Sequence, residues 1–256
     1  MARRRWTYGW TLVLAATLAL TGCSTGAVQQ ASPLATIPAT ATSTATDTTA
    51  AATATTRDIS GTAVLLGDSQ SGGAAGVAAS HTWVNLGLQA QGYTVDTVAA
   101  GGTGFVAHSG KAPNYLDAVE SGKAVLPQGD PGLMVIQGGG NDAALGATDA
   151  AILANATRLL KTLRARYPDS KFLLIGTLAK GSANGGGRRT EVDTLLAGFA
   201  QRNELPFIGA GDWLSKYHLT HQLADKVHLT ASGHVKLAKV LAARLKAMGL
   251  QAPAPQ

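Results

Sequence analysis

The chain has 256 residues, a formal charge of +6, six histidines and one cysteine. Half of the charge excess lies in Arg3, Arg4 and Arg5, so the remainder is modest and scattered and points away from a nucleic-acid partner. One cysteine excludes a disulfide-stapled scaffold, so any folded part must be held by packing.

The three arginines are followed by an apolar stretch from Trp10 to Leu20. As a helix this run would cover only about half of a ~30 Å hydrocarbon core, which suits a cleaved signal better than a permanent span. It ends in Leu20-Thr21-Gly22-Cys23, which resembles the bacterial lipobox. That resemblance implies a signal peptide over 1–22 and a lipidated Cys23. Two acyl chains, at ~0.8 kcal/mol per buried CH₂, anchor stably where one is marginal. An ordinary secretion signal with an incidental cysteine is the alternative. From Ser24 to Arg57, 11 of 34 residues are Thr and 10 are Ala, with no aromatic residue. Such a segment cannot bury enough apolar surface to offset the entropy of ordering, so residues 23–58 read as a tether, roughly 110 Å long if fully extended. Residues 59–249 are enough for one domain with a sizeable core, and 250–256 read as a polar tail without evident role.

Within the domain, short apolar runs alternate with helical periods. Ala63–Leu66, Tyr93–Val98, Leu133–Ile136, Phe172–Ile175 and Pro206–Ile208 read as strands buried on both faces. A helix over 81–90 offers Trp83, Leu86 and Ala90 on one stripe. A longer one over 151–167 offers Ile152, Ala156, Leu159, Leu160, Leu163 and Tyr167, and Pro168 ends it. Thr190 with Asp193 forms a capping-box-like start for a further helix. A last helix runs over 231–248, with Gly249 beyond it. Strand–helix alternation at this spacing predicts an α/β, three-layer α/β/α sandwich with a central, mainly parallel sheet. Ligands of such sheets bind beyond the carboxyl ends of the strands, so the residues after each strand matter most.

Those segments are Gly67-Asp68-Ser69 after the first strand, Gly101-Gly102-Thr103-Gly104 after the second, and Gly138-Gly139-Gly140-Asn141-Asp142 after the third. Asp225-Lys226-Val227-His228 precedes the last helix. In this order they resemble the blocks of the SGNH (GDSL) hydrolases, a family of esterases and lipases with a flavodoxin-like fold. The resemblance spans most of residues 67–228. A lone Gly-Asp-Ser or Asp-x-x-His carries little weight, whereas the ordered set is specific. The family's Asn-x-Gly-x-x-Gly has Ala99 in place of its asparagine here, which leaves Gly102 and Gly104 as rival backbone donors, with Gly104 fitting the spacing better.

The resemblance implies Ser69 as nucleophile, His228 as its base and Asp225 as the group that orients His228. Ser69 N–H, Gly104 N–H and the Asn141 amide are then the oxyanion donors. The residue types suit that chemistry. A serine hydroxyl needs a base to take its proton, imidazole can return it to a leaving alkoxide, and a carboxylate fixes the imidazole tautomer. Asp68 and Asp142 are expected to hold loops. His218 and His221 are candidates for a pocket rim, whereas His234, in the last helix, packs or faces solvent. The Gly181–Gly187 stretch, followed by Arg188 and Arg189, reads as a mobile rim, and the alternative is a solvent loop with a basic surface pair. The remaining histidines lack metal-ligand spacing, and neither a Gly-x-Gly-x-x-Gly nor a phosphate loop is present, so no metal or cofactor is expected. The composite expectation is an extracytoplasmic, lipid-anchored monomer cleaving short-acyl esters, acetyl among them, of envelope glycans or lipids. The alternatives are a long-chain lipase, a thioesterase, and a non-catalytic glycan-binding module.

Overall fold

The computed structural model describes residues 58–254. The expected signal, lipobox cysteine and most of the tether lie outside the described residues. Five strands, β1 (Thr62–Gly67), β2 (Thr94–Ala99), β3 (Leu133–Gln137), β4 (Lys171–Ile175) and β5 (Phe207–Ile208), form one sheet in the order β2-β1-β3-β4-β5. Every neighbouring pair is parallel. The helices are α1 (Ser69–Gly72), α2 (Trp83–Gln89), α3 (Tyr115–Glu120), α4 (Gly140–Leu145), α5 (Asp149–Arg166), α6 (Gly187–Arg202), α7 (Trp213–Lys216) and α8 (Ala231–Ala247).

The three layers follow from the period of two in the central strands. Val64, Leu66, Met134, Ile136 and Leu174 pack with residues of α3, α5 and α6 on one face. Their neighbours Ala63, Leu65, Leu133, Val135, Leu173 and Ile175 pack with α2, α7 and α8 on the other. Because both faces are covered, β1, β3 and β4 read as unbroken apolar runs. The edges differ from expectation. β2 pairs on one side only and has no fully buried residue, and β5 shrinks to two residues.

The stripe expected on α5 is buried throughout, and Thr148 caps the helix by accepting from Ala151 N–H at 3.2 Å. Thr230 caps α8 in the same way, through Gly233 N–H, and Leu237, Leu241 and Leu245 repeat every fourth residue on its buried face. Two helices correct the sequence reading. In α2 the buried residues are Trp83, Val84, Asn85, Gly87 and Leu88, and Ala90 is exposed. In α6 the helix starts at Gly187, so Thr190 and Asp193 do not cap it. Thr190 Oγ1 donates to Gly211 O at 3.0 Å and Asp193 accepts from Ala210 N at 3.1 Å, tying α6 to the segment after β5. The start of the supposed tail is also structural. Leu250 is buried, Ala252 N–H donates to Gln91 O at 3.0 Å, and Tyr93 Oη donates to Gln251 O at 3.0 Å.

The order 2-1-3-4-5 reverses direction at β1, so the connections leaving β1 and β3 depart to opposite faces. A crevice opens between their carboxyl ends. Ser69 follows β1 there, and Asn141 follows β3.

Candidate active site

Asp68 ends the turn after β1 and caps α1, its Oδ1 accepting from Gln70 N–H at 2.8 Å. This fixes Ser69 as the first residue of a one-turn helix at the crevice, partly exposed, and among the described residues its N–H has no protein acceptor. His228 approaches from the loop before α8. Its Nε2 lies 2.9 Å from Ser69 Oγ, and its Nδ1 lies 2.8 Å from Asp225 Oδ2. The Asp225 Oδ1 accepts from Val227 N–H at 2.6 Å and His228 N–H at 2.7 Å. The hydrogen bonds from His228, side chain first, and then from Val227 hold this carboxyl well below the usual carboxylate range. Asp225 is therefore charged across the neutral range, and Ser69, His228 and Asp225 form one unbroken relay.

Gln70 was missed in the sequence. It is buried behind Ser69, donates from Nε2 to Val227 O at 3.1 Å and accepts from Trp83 Nε1 at 3.3 Å. It thereby fastens the histidine loop to α1, 157 residues away in sequence. Its position directly after Ser69, on a turn pointing inward, was the available signal. His234 packs, as one of its two expected options. It is buried, and its Nδ1 accepts from Trp83 N–H at 3.0 Å, satisfying an unpaired donor at the start of α2. Burial, and then the charge of His228, lower its pKa to about 4.

Asn141 Nδ2 donates to Thr103 O at 2.8 Å and to Asp68 Oδ2 at 3.4 Å, so both amide hydrogens are engaged, and the residue lines the recess with Ser69. The expected role of Gly104 meets a difficulty. Its N–H donates to Ala107 O at 2.9 Å, and the residue is buried. A Cβ there would collide with the Asp142 carboxylate, so glycine is required for packing rather than for close approach of a substrate. Asp142 is fully buried and accepts from Phe105, Val106 and Ala107 N–H at 3.0, 2.7 and 2.9 Å, holding the glycine loop. Among the described residues the Gly101 and Gly102 N–H groups have no protein acceptor, and a Cβ on Gly101 would stand 3.8 Å from Ser69 Cβ.

Asp68 is 2% exposed. Burial raises its pKa to about 6, against the opposing pull of Gln70 N–H, the Arg189 charge and Gln137. The two arginines split. Arg188 pairs with Asp149 and Glu191, whereas Arg189 turns inward and lines the recess shared by Asp68, Ser69, Gln70, Gly140 and Asn141. A Cβ on Gly140 would stand 2.6 Å from Arg189 Nη1, so the guanidinium rests on bare backbone. The expected mobile rim, residues 181–187, contains a short turn fastened by Gly181 N–H to Gly211 O at 2.7 Å and Gly186 N–H to Gly181 O at 2.8 Å. His218 and His221 wall a separate hollow of about 550 Å³ with Lys180 and Asn184, and none of Ser69, Asp225 and His228 lines it.

Solved structures with this architecture include an aryl esterase from M. smegmatis, 20% identical, with a TM-score of 0.53 over 73% of this chain and 99% of that one. Another is Est24, a carbohydrate acetylesterase from Sinorhizobium meliloti, 18% identical, with a TM-score of 0.54 over 73% and 99%. A third is a family two carbohydrate esterase from Clostridium thermocellum, 14% identical, with a TM-score of 0.58 over 74% of this chain. This chain spans only 64% of that last one. No curated protein matches the sequence. At these identities the likeness is one of fold. The profile of the GDSL-like Lipase/Acylhydrolase family, however, matches residues 65–236, from the strand before Ser69 to the helix after His228, and the chain therefore belongs to that family of serine ester hydrolases.

Proposed function

We propose that the protein is an exported, lipid-anchored esterase that removes short acyl groups, acetyl above all, from esters of the cell envelope. The observation that carries the catalytic part is the relay from Ser69 Oγ through His228 to Asp225, with spacings of 2.9 and 2.8 Å. Ser69 Oγ attacks the ester carbonyl as His228 Nε2 takes its proton, and Asp225 stabilises the imidazolium. The oxyanion is met by Ser69 N–H, Asn141 Nδ2 and a backbone donor of the glycine loop. Among the described residues Gly101 and Gly102 N–H are free for that part as the loop stands, whereas Gly104 must first share or give up its bond to Ala107 O, and Asn141 Nδ2 one of its two, to Thr103 O and Asp68 Oδ2. His228 returns the proton to the leaving alkoxide. Water then attacks the acyl-serine by the same route, giving the carboxylic acid and restoring Ser69.

The size of the recess supports a short acyl group. Walled by Ser69, Gln70, Asn141, Thr177 and Leu178, it holds about 10 Å³, room for one water- or methyl-sized group. A larger apolar cavity of about 220 Å³ lies at the carboxyl ends of β1 and β2, between the glycine loop and α3, and none of Ser69, Asn141 and His228 lines it. The likeness to a carbohydrate acetylesterase points the same way. Export and anchoring rest on the Arg-rich start, the short apolar run and Leu20-Thr21-Gly22-Cys23. A p-nitrophenyl ester series tests the acyl preference. kcat/KM should be highest for acetate and fall steadily with chain length, and a maximum at long chains would give the reaction to a lipase instead.

A further inference from the structure

Arg189 has no evident task in the relay. It is half-buried, yet among the described residues its guanidinium has neither a hydrogen-bond acceptor nor an ion-pair partner, while Arg188 beside it has both. A guanidinium carries five N–H donors in a planar fork suited to carboxylate or phosphate oxygens. The nearby acids are otherwise engaged. Asp225 is held by three donors of its own loop, and Asp212 lies 3.8 Å from Lys216. Asp68 acts on Arg189 through space without a hydrogen bond. On its far side Arg189 lines a cavity of about 180 Å³ with Lys180, Lys226, Leu214 and Val227. That cavity adjoins the recess at Ser69, since Leu178, Arg189 and Val227 line both. Lys226 and Val227 belong to the loop carrying His228, the group that protonates the leaving oxygen.

We propose that Arg189, with Lys180 and Lys226, binds an anionic group, a carboxylate or a phosphate, on the alcohol portion of the ester. The substrate is then an acylated acidic polymer or glycan rather than a neutral one. This rests on the esterase reading above. Arg189 also has a competing role open to it, that of keeping buried Asp68 ionised, and the two separate by substrate charge. Loss of Asp68 support would slow every ester alike, whereas loss of an anion site would slow charged esters selectively.

The test compares phenyl acetate with para-acetoxybenzoate and para-acetoxyphenyl phosphate in the wild type, Arg189→Gln and the double variant Lys180→Gln/Lys226→Gln. The double variant changes two exposed side chains and remains informative if Arg189→Gln folds poorly. Intrinsic reactivity cancels when the charged-to-neutral ratio of kcat/KM is compared between proteins. That ratio should fall by about tenfold or more in Arg189→Gln, chiefly through KM, and by less in the lysine variant. The acetate with the larger fall identifies the group. Raising ionic strength should lower the wild-type ratio toward that of the variants. An unchanged ratio, or a parallel loss on all three acetates, would overturn the anion site. A wild type inert toward phenyl acetate would overturn the esterase reading itself.

Discussion

Asp225→Asn separates catalysis from loop-building within one side chain. Asp225 Oδ1 is clasped by Val227 and His228 N–H at 2.6 and 2.7 Å, so in the variant the amide oxygen must take that position. The NH₂ is then forced into the place of Oδ2, 2.8 Å from His228 Nδ1. Two donors cannot face each other, so Nδ1 must accept and the ring proton moves to Nε2. There it points at Ser69 Oγ, and the nitrogen can no longer take the serine's proton. An equivalent change in a serine protease lowers turnover by about 10⁴-fold, or about 5 kcal/mol of activation free energy. We expect a loss of about 10³–10⁴-fold in kcat/KM toward p-nitrophenyl acetate. The melting temperature should barely move, because both backbone contacts persist. If Asp225 only closed its loop, Asp225→Asn would keep its activity, and a kcat/KM within tenfold of wild type would refute the relay.

Asn141→Ala should lower kcat by about 10²–10³-fold with little change in KM, since a lone oxyanion donor acts only as charge develops; a kcat within about threefold of wild type removes Asn141 from the site. His234 has a folded pKa lowered to about 4, so the unfolded chain binds the extra proton between about pH 6.5 and 4, and stability falls with pH across that window by up to about 3 kcal/mol. Asp68 and Asp193, both raised to about 6 chiefly by burial, push the other way below about pH 6. The comparison with His234→Asn therefore isolates the histidine: the variant should gain on the wild type as pH falls, and denaturant curves with a pH-independent gap would contradict this. Cys23→Ser should release the protein from membranes or leave it unprocessed, and a wild-type mature N-terminus carrying an unmodified residue other than Cys23, seen by mass spectrometry, ends the anchor reading.

What the sequence disclosed follows physical range. The strands of the sheet centre were legible because burial on both faces leaves an unbroken apolar run, and α5 and α8 because their apolar stripes and caps are local. The stripe of α2 was misphased because buried polar residues take part in it. Asn85 donates to Ser71 O at 3.0 Å and accepts from Thr97 Oγ1 at 2.6 Å, so it packs inward as an apolar residue would. Thr190 and Asp193 mimic a cap, but their partners, Gly211 and Ala210, lie beyond the next strand. The relay residues stood out because their spacing within each segment matches the family's blocks, and the fold brings their side chains within hydrogen-bonding distance. Gln70 and Arg189 carry no such spacing, and only the folded chain brings them to Val227 and to the recess. Gly104 is the instructive case, because its match to the glycine block is good while its N–H donates to Ala107 O within the fold.

The central claim is that Ser69 is the activated nucleophile, and one measurement reads it directly. The protein is treated with a fluorophosphonate and the modified peptide is located by mass spectrometry. The relay predicts stoichiometric labelling of Ser69, absent from a folded Ser69→Ala variant that has also lost ester hydrolysis. Labelling at another serine, or undiminished hydrolysis by Ser69→Ala, would contradict it.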